Sequence, residues 1–214
     1  MIAVIKGDII SSRKVNNSES WLLPLKNQLN EWGQSPKQWE LVWGDSFQLE
    51  IDRPEEALRK SLIIKALVKR VVPEDQKRKS GLLDVRMAIG IGNKTYTGER
   101  ISESNGEAFI FAGEKFEELE KGKVNLLIKS PWEAFDEEMN LYLKLASLFM
   151  DNWMVASAEL IGWVLKYPDY TQKEIGDRLG IKQNSVSGRW RRAHVEELLA
   201  VDQMYRRKLK KLQS

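Results

Sequence analysis

Apolar positions open the chain as an unbroken run over 2–5, which reads as a strand buried on both faces and therefore central in a sheet. A helical period follows. Trp21, Leu22, Leu25, Leu29 and Trp32 share one face, Ser18 or Ser20 can cap the helix, and Pro24 is tolerable in its first turn. Residues 39–43 predict a second strand, Gly44 and Asp45 a hairpin turn, and 46–51 the returning strand, with Phe47, Leu49 and Ile51 on one face. Asp52 then caps a helix with Pro54 in its first turn and Leu58, Leu62, Ala66 and Arg70 on successive turns. After a charged loop over 73–81, the alternation of Leu83, Val85, Met87, Ile89 and Ile91 predicts a half-buried strand; Gly90, Gly92 and Gly98 mark turns after it. A helix over about 106–119 and a last strand over 124–128 follow.

The resulting order, β-α-β-β-α-β-α-β, predicts an α+β fold. It contains the split βαβ of a ferredoxin-like palm, with one extra helix and strand. Pro131 marks a boundary between a palm domain, 1–130, and an all-α domain, 131–214. Residues 136–166 read as long-period helix, rich in Leu, Met, Ala and Trp. Without an internal repeat or low-complexity linker, the two halves are expected to pack on each other.

The C-terminal pattern is the most specific. Over 171–199, Thr171 and Glu174 form a capping box, and Ile175 and Leu179 give a short helix its inner face. Gly176 is small where a second helix must cross, Gly180 accepts the positive φ of a sharp turn, and Ile181 plugs the angle. Val186 and Trp190, four apart, anchor the second helix. Gln183, Asn184, Ser185, Ser187, Arg189, Arg191 and Arg192 are left to face outward. This segment resembles the helix-turn-helix of bacterial regulators and of the promoter-reading end of sigma factors. Amides and hydroxyls suit base edges, and arginines suit phosphates or guanine. The alternative is a helical hairpin used for packing alone.

Charge sharpens that reading. The formal net charge of the 214 residues is +3. Residues 171–214 carry 11 Lys and Arg against 5 Asp and Glu, or +6, whereas 1–170 carry 23 against 26, or −3. A basic module on a mildly acidic body points to a polyanion. With no cysteine there is no disulfide and no thiolate site, and one histidine, His194, builds no histidine metal cluster. No signal peptide is evident, and no stretch approaches the roughly 18 apolar residues of a membrane span. A cytoplasmic protein is expected, with no membrane partner.

The stretch GDIISSR, 7–13, places Asp8 at the end of the first strand, and WGDSF places Asp45 at the hairpin tip. The palm order brings both carboxylates to one edge of the sheet. Two close carboxylates repel unless a cation or shared proton intervenes, and hard oxygen ligands suit Mg²⁺ completed by nucleotide phosphates. Ser11, Ser12 and Arg13 fall where hydroxyls and backbone N–H groups cradle phosphate. The bland alternative is that Asp8 and Asp45 only cap turns.

GDIISSR, WGDSFQLEI, DVRMAIGIG and NGEAFIFAGEKFEEL occur in the order of the blocks of class III nucleotidyl cyclase domains. Nearly the whole chain resembles the SatD family, bacterial proteins that join such a palm to a C-terminal helix-turn-helix. The resemblance implies that Asp8 and Asp45 are the metal aspartates, with the Ile9 carbonyl as a third ligand, and that the palm forms a homodimer. It also exposes departures. Leu41 stands where a cyclase has its base-selecting lysine, and Ile110 and Glu114 stand where it has its asparagine and transition-state arginine. Losing a group that stabilises developing charge typically removes orders of magnitude in rate. The expectation is a duplex-DNA-binding regulator whose palm binds Mg²⁺ and a nucleotide as a sensor, or serves as a dimerisation scaffold. The rivals are an active Mg²⁺-dependent cyclase or nucleotidyltransferase using Asp8 and Asp45, and a pure interaction module.

Overall fold

The computed structural model describes residues 1–42, 44–72 and 83–213. The charged loop expected over 73–81 lies outside them, as does Trp43. Strand β1 (Ile2–Ile10) is longer than its apolar run: it continues through Gly7, Asp8 and Ile9, so Asp8 lies within the strand and does not end it. The reason is pairing on both sides. Asp8 stands opposite Ser46 on one neighbour and Arg86 on the other.

Helix α1 (Glu19–Asn30) begins at Ser18, but the Asn17 side chain accepts from the Glu19 N–H. Neither serine makes a side-chain cap, and Pro24 falls in the second turn. Strands β2 (Trp39–Val42) and β3 (Ser46–Ile51) form the expected hairpin, with Gly44 at φ 90° in its turn. The next helix is not capped by Asp52. A 3-10 turn over Pro54–Glu56 starts from Arg53 and feeds α2 (Ala57–Lys69).

Strand β4 (Asp84–Gly92) is buried on both faces from Met87 onward, not half-buried. The cover on the second face is α3 (Glu107–Lys121). Gly90 and Gly92 are therefore not turn residues. A Cβ at Gly90 would overlap the Ala108 carbonyl oxygen, and one at Gly92 would lie 2.6 Å from the Glu107 Cβ. Glycine here is what lets helix and strand approach. Strand β5 (Leu126–Lys129) pairs parallel to β4.

The sheet order is β2-β3-β1-β4-β5, antiparallel throughout except at β4–β5. Period-two alternation sorts β1 between its faces. Ala3, Ile5 and Ile9 join the main core with Leu25, Leu29, Leu58 and Leu62, whereas Val4 packs under Ala108 and Ala112 of α3. Asp8, on the same parity as Val4, belongs to the α3 face.

The remaining helices are α4 (Glu133–Met150), α5 (Val155–Lys166), α6 (Gln172–Leu179), α7 (Gln183–Ala193) and α8 (Val195–Gln213). The long helical period thus breaks into α4 and α5 around Trp153, whose buried indole N–H donates to the Ala193 carbonyl. One hydrophobic core runs from Ala3 to Leu209 across residue 131. Two polar joints stitch the halves. Lys65, almost fully buried, holds Asp84 at 2.6 Å and lies 2.7 Å from Asp151 Oδ1, a charge contact without hydrogen-bond alignment. Lys69 donates to Asp84 and to the Asp151 carbonyl. At the other joint the Tyr205 hydroxyl donates to the Pro54 carbonyl, and fully buried Asp202 accepts from Arg59 and Arg206. Burial pushes the Tyr205 hydroxyl well above its ordinary pKa. Among the described residues, no helix is long and apolar enough to cross a membrane.

Candidate nucleic-acid interface and a cleft at the end of the sheet

Helices α6 and α7 form as their local chemistry dictates. The Thr171 hydroxyl accepts from the Glu174 N–H, and the Glu174 carboxylate accepts from the Thr171 N–H at 2.7 Å. The Thr171 N–H, and then the Thr171 hydroxyl, both donate to the Glu174 carboxylate and hold its pKa below the usual carboxylate value. Gly180 ends α6 in the left-handed region at φ 63°, and its successor, Ile181, donates back to the Gly176 carbonyl at 2.9 Å. That is the αL helix ending that glycine favours. A Cβ at Gly176 would meet the Ile181 carbonyl at 2.8 Å, so the crossing needs glycine at this position. Val186 and Ala193 are buried on the inner face of α7, and Ile175 seals the partner helix.

Trp190 is half-buried rather than a full anchor, and its indole N–H donates to Glu196 at 2.9 Å. Gln183, Asn184 and Ser185, in the first turn of α7, are exposed; Ser187 is half-buried. Arg191 and Arg192 are exposed in its last turn. Arg189 departs from the expected outward set. It turns back to α5 and pairs with Glu159 at 3.2 Å. His194 ends α7 in the left-handed region and stacks on Phe149, 4.9 Å between centroids.

Apart from Arg189, the basic charge on this unit is uncommitted. Among the described residues, Lys173, Arg178, Lys182, Arg191 and Arg192 are exposed and enter no ion pair, and Asp177 is the one acid of α6 and α7 outside the cap. The basic run of α8 is split: Arg207 and Lys210 are exposed and enter no ion pair among the described residues, whereas Arg206 and Lys208 are engaged. Arg206 binds both oxygens of Glu56, at 2.6 and 2.9 Å, and Lys208 binds Glu138. Those cations fasten α8 to the rest of the fold.

The second candidate is a cleft of about 480 Å³ at the end of β1. Asp8, Ile9, Ser11, Ser12, Arg13 and Asp45 all line it, as expected, together with Lys14, Arg86, Lys123 and Asn125. Ser11 adopts φ 63°, uncommon for a residue with a side chain, and turns the chain from β1 into a 3-10 turn over Ser12–Lys14. The Ser12 hydroxyl donates to Asp45 Oδ2 at 2.7 Å, and the Ile9 N–H donates to the Asp45 carbonyl at 3.1 Å. Hairpin and strand end are thereby tied together.

Asp8 has a partner that its own segment gives no hint of. Arg86, opposite it on β4, takes both its oxygens, Nε to Oδ1 at 2.9 Å and Nη2 to Oδ2 at 2.6 Å. That hydrogen bond raises the Arg86 pKa above its already high value, against the opposing effect of burial. The carboxylates and the Ile9 carbonyl are hard oxygen donors of the kind Mg²⁺ takes, but Arg86 competes for Asp8. Among the described residues, no group of three or more acidic, His or Cys side chains is placed to hold a metal ion. The cleft lining carries Arg13, Lys14, Arg86 and Lys123 against two carboxylates, so it favours an anion.

Leu41 is half-buried on β2. Ile110 and Glu114 lie on the exposed side of α3, where Glu114 pairs with Lys129, and neither lines the cleft. No protein-family model matches the chain, and none of the curated proteins does.

Proposed function

We propose that this chain is a duplex-DNA-binding regulator that reads DNA with α7. In this reading α6 and α7 form a helix-turn-helix. Gln183, Asn184 and Ser185 approach base edges, while Lys182, Arg191 and Arg192, with Arg178 of α6, meet phosphates. The observation that carries it is the set of five exposed cations, unpaired among the described residues, on a unit whose turn and cap are fully built. Elsewhere in the fold, cations such as Arg59, Arg86 and Arg206 are engaged with carboxylates, and others, such as Lys37, Arg70 and Arg207, are exposed without an ion pair among the described residues; on the α6–α7 unit five such cations gather beside a single acid outside the cap. A gel shift with duplex DNA, repeated with Arg191→Ala plus Arg192→Ala, tests it.

The sheet half serves, in the same reading, as a nucleotidyl-cyclase-like, ferredoxin-like palm. The antiparallel order β2-β3-β1-β4 supports that assignment. Its cleft takes a nucleotide through its phosphates: Arg13, Lys14 and Lys123 supply charge, and Ser11 and Ser12 supply hydroxyls. Where Mg²⁺ accompanies the nucleotide, Asp8, Asp45 and the Ile9 carbonyl are its donors, and the ion neutralises phosphate charge. A homodimer completes the scheme by presenting two α7 helices to DNA half-sites about one helical turn apart. The rival reading, a cyclase or nucleotidyltransferase, is favoured by Asp8 and Asp45 sharing one cleft. Pyrophosphate release from any nucleoside triphosphate separates it from the regulator.

A further inference from the structure

A second cavity, of about 160 Å³, lies between α1, α2 and α5, away from both sites above. Its apolar lining includes Ile63 and Leu67 of α2 and Trp163 of α5. Trp163, Tyr167 and Tyr170 stack in series, with centroids 5.1 and 4.9 Å apart, so a flat aromatic surface continues from the cavity to the exterior.

Three features mark this as a built site. Gly162 lines it in the interior of α5, where alanine is the better helix former. A Cβ there would meet nothing within 4 Å, so no close approach demands the glycine; its effect is to leave the space open. Gln28 also lines the cavity and is 2% exposed. Its Nε2 donates to Glu31 at 2.8 Å, and its Oε1 is buried with no partner among the described residues. Finally, two cations stand at the cavity: Arg70, exposed at the end of α2 and unpaired among the described residues, and Lys166, held loosely by Glu31 at 3.3 Å.

We infer that this cavity binds a small organic anion with a flat apolar body, of the class of aromatic carboxylic acids. A ring fits a space of this size, since an apolar cavity of about 150 Å³ accepts benzene. The ring lies against Ile63, Leu67 and Trp163. The carboxylate faces Arg70, whose planar guanidinium matches two oxygens at once.

The test is calorimetric titration of the full chain with benzoate, acetate and benzyl alcohol. Saturable binding of benzoate is expected, with acetate (no ring) and benzyl alcohol (no charge) each at least about tenfold weaker. Gly162→Leu fills the cavity and is expected to abolish benzoate binding without lowering the melting temperature. Arg70→Gln, at an exposed helix end, is expected to weaken benzoate about tenfold and decides the matter alone if Gly162→Leu does not fold. Absence of saturable heat with benzoate up to about 10 mM, equal binding of acetate, or unchanged affinity in a folded Arg70→Gln variant overturns the assignment.

Discussion

Arg86 and Asp8 face each other across the β1–β4 register, and the guanidinium occupies both carboxylate oxygens. The pair turns a would-be metal aspartate into half of an ion pair. Any divalent cation must compete with Arg86 for it. Arg86→Ala is therefore expected to bind Mg²⁺ more tightly than the wild type, by about tenfold or more, in a titration without nucleotide. Asp8→Ala is expected to bind it no better than background. Equal Mg²⁺ affinity in wild type and Arg86→Ala means that the carboxylate is not a metal ligand.

Lys65 joins the halves of the fold through Asp84 and Asp151. Its side chain is 1% exposed, so removing its charge leaves Asp151 without its cation and opens the joint between β4 and the α4–α5 corner. Lys65→Met is expected to lower unfolding stability by about 3–5 kcal/mol, read from urea denaturation. A change below about 1 kcal/mol means the joint is solvated in solution.

Stability at acid pH is expected to depend on Glu56. Its hydrogen bonds to Arg206 hold its pKa below the ordinary 4.5 against the effect of burial. A lowered folded pKa contributes stability that is present above the unfolded value and is lost as pH falls through the folded one. Melting temperature is therefore expected to drop as pH goes from about 5 towards 3, and Glu56→Gln is expected to flatten part of that fall. An identical acid limb in wild type and variant removes this pair from the account.

Much of the α6–turn–α7 unit was legible because its determinants are local. Thr171 and Glu174 are three residues apart, and Gly176, Gly180 and Val186 lie within three helical turns. The element order and the hairpin at Gly44 followed from periods and turn residues of the same short range. What the sequence hid is set by packing between distant segments. Arg86 is 78 residues from Asp8, and Asp151 stands far along the chain from Lys65; only register and packing bring them together. Gly90 and Gly92 resembled turn residues because the helix that needs them small comes from a later segment. Arg189 looked outward because the helical wheel of α7 carries no information about Glu159 on α5.

Trp190 tests how α7 is seated. It is half-buried, with its N–H on Glu196. Trp190→Ala is expected to cost about half of the roughly 3–5 kcal/mol of a fully buried aromatic, measured by thermal melts. An unchanged melting temperature together with abolished DNA binding means that Trp190 faces the DNA and that α7 is rotated.

In the proposed reading, α7 engages DNA through exposed cations that enter no ion pair among the described residues. Equilibrium binding of the full chain to a duplex across a salt series, for wild type and for Arg191→Ala plus Arg192→Ala, measures it most directly. Removing one cation from a phosphate lowers the slope of log affinity against log salt by about 0.9. Wild type is expected to bind tightly and with strong salt dependence, and the variant to bind more weakly with a slope smaller by about 1.8. Equal affinity and equal slope in both proteins contradicts it.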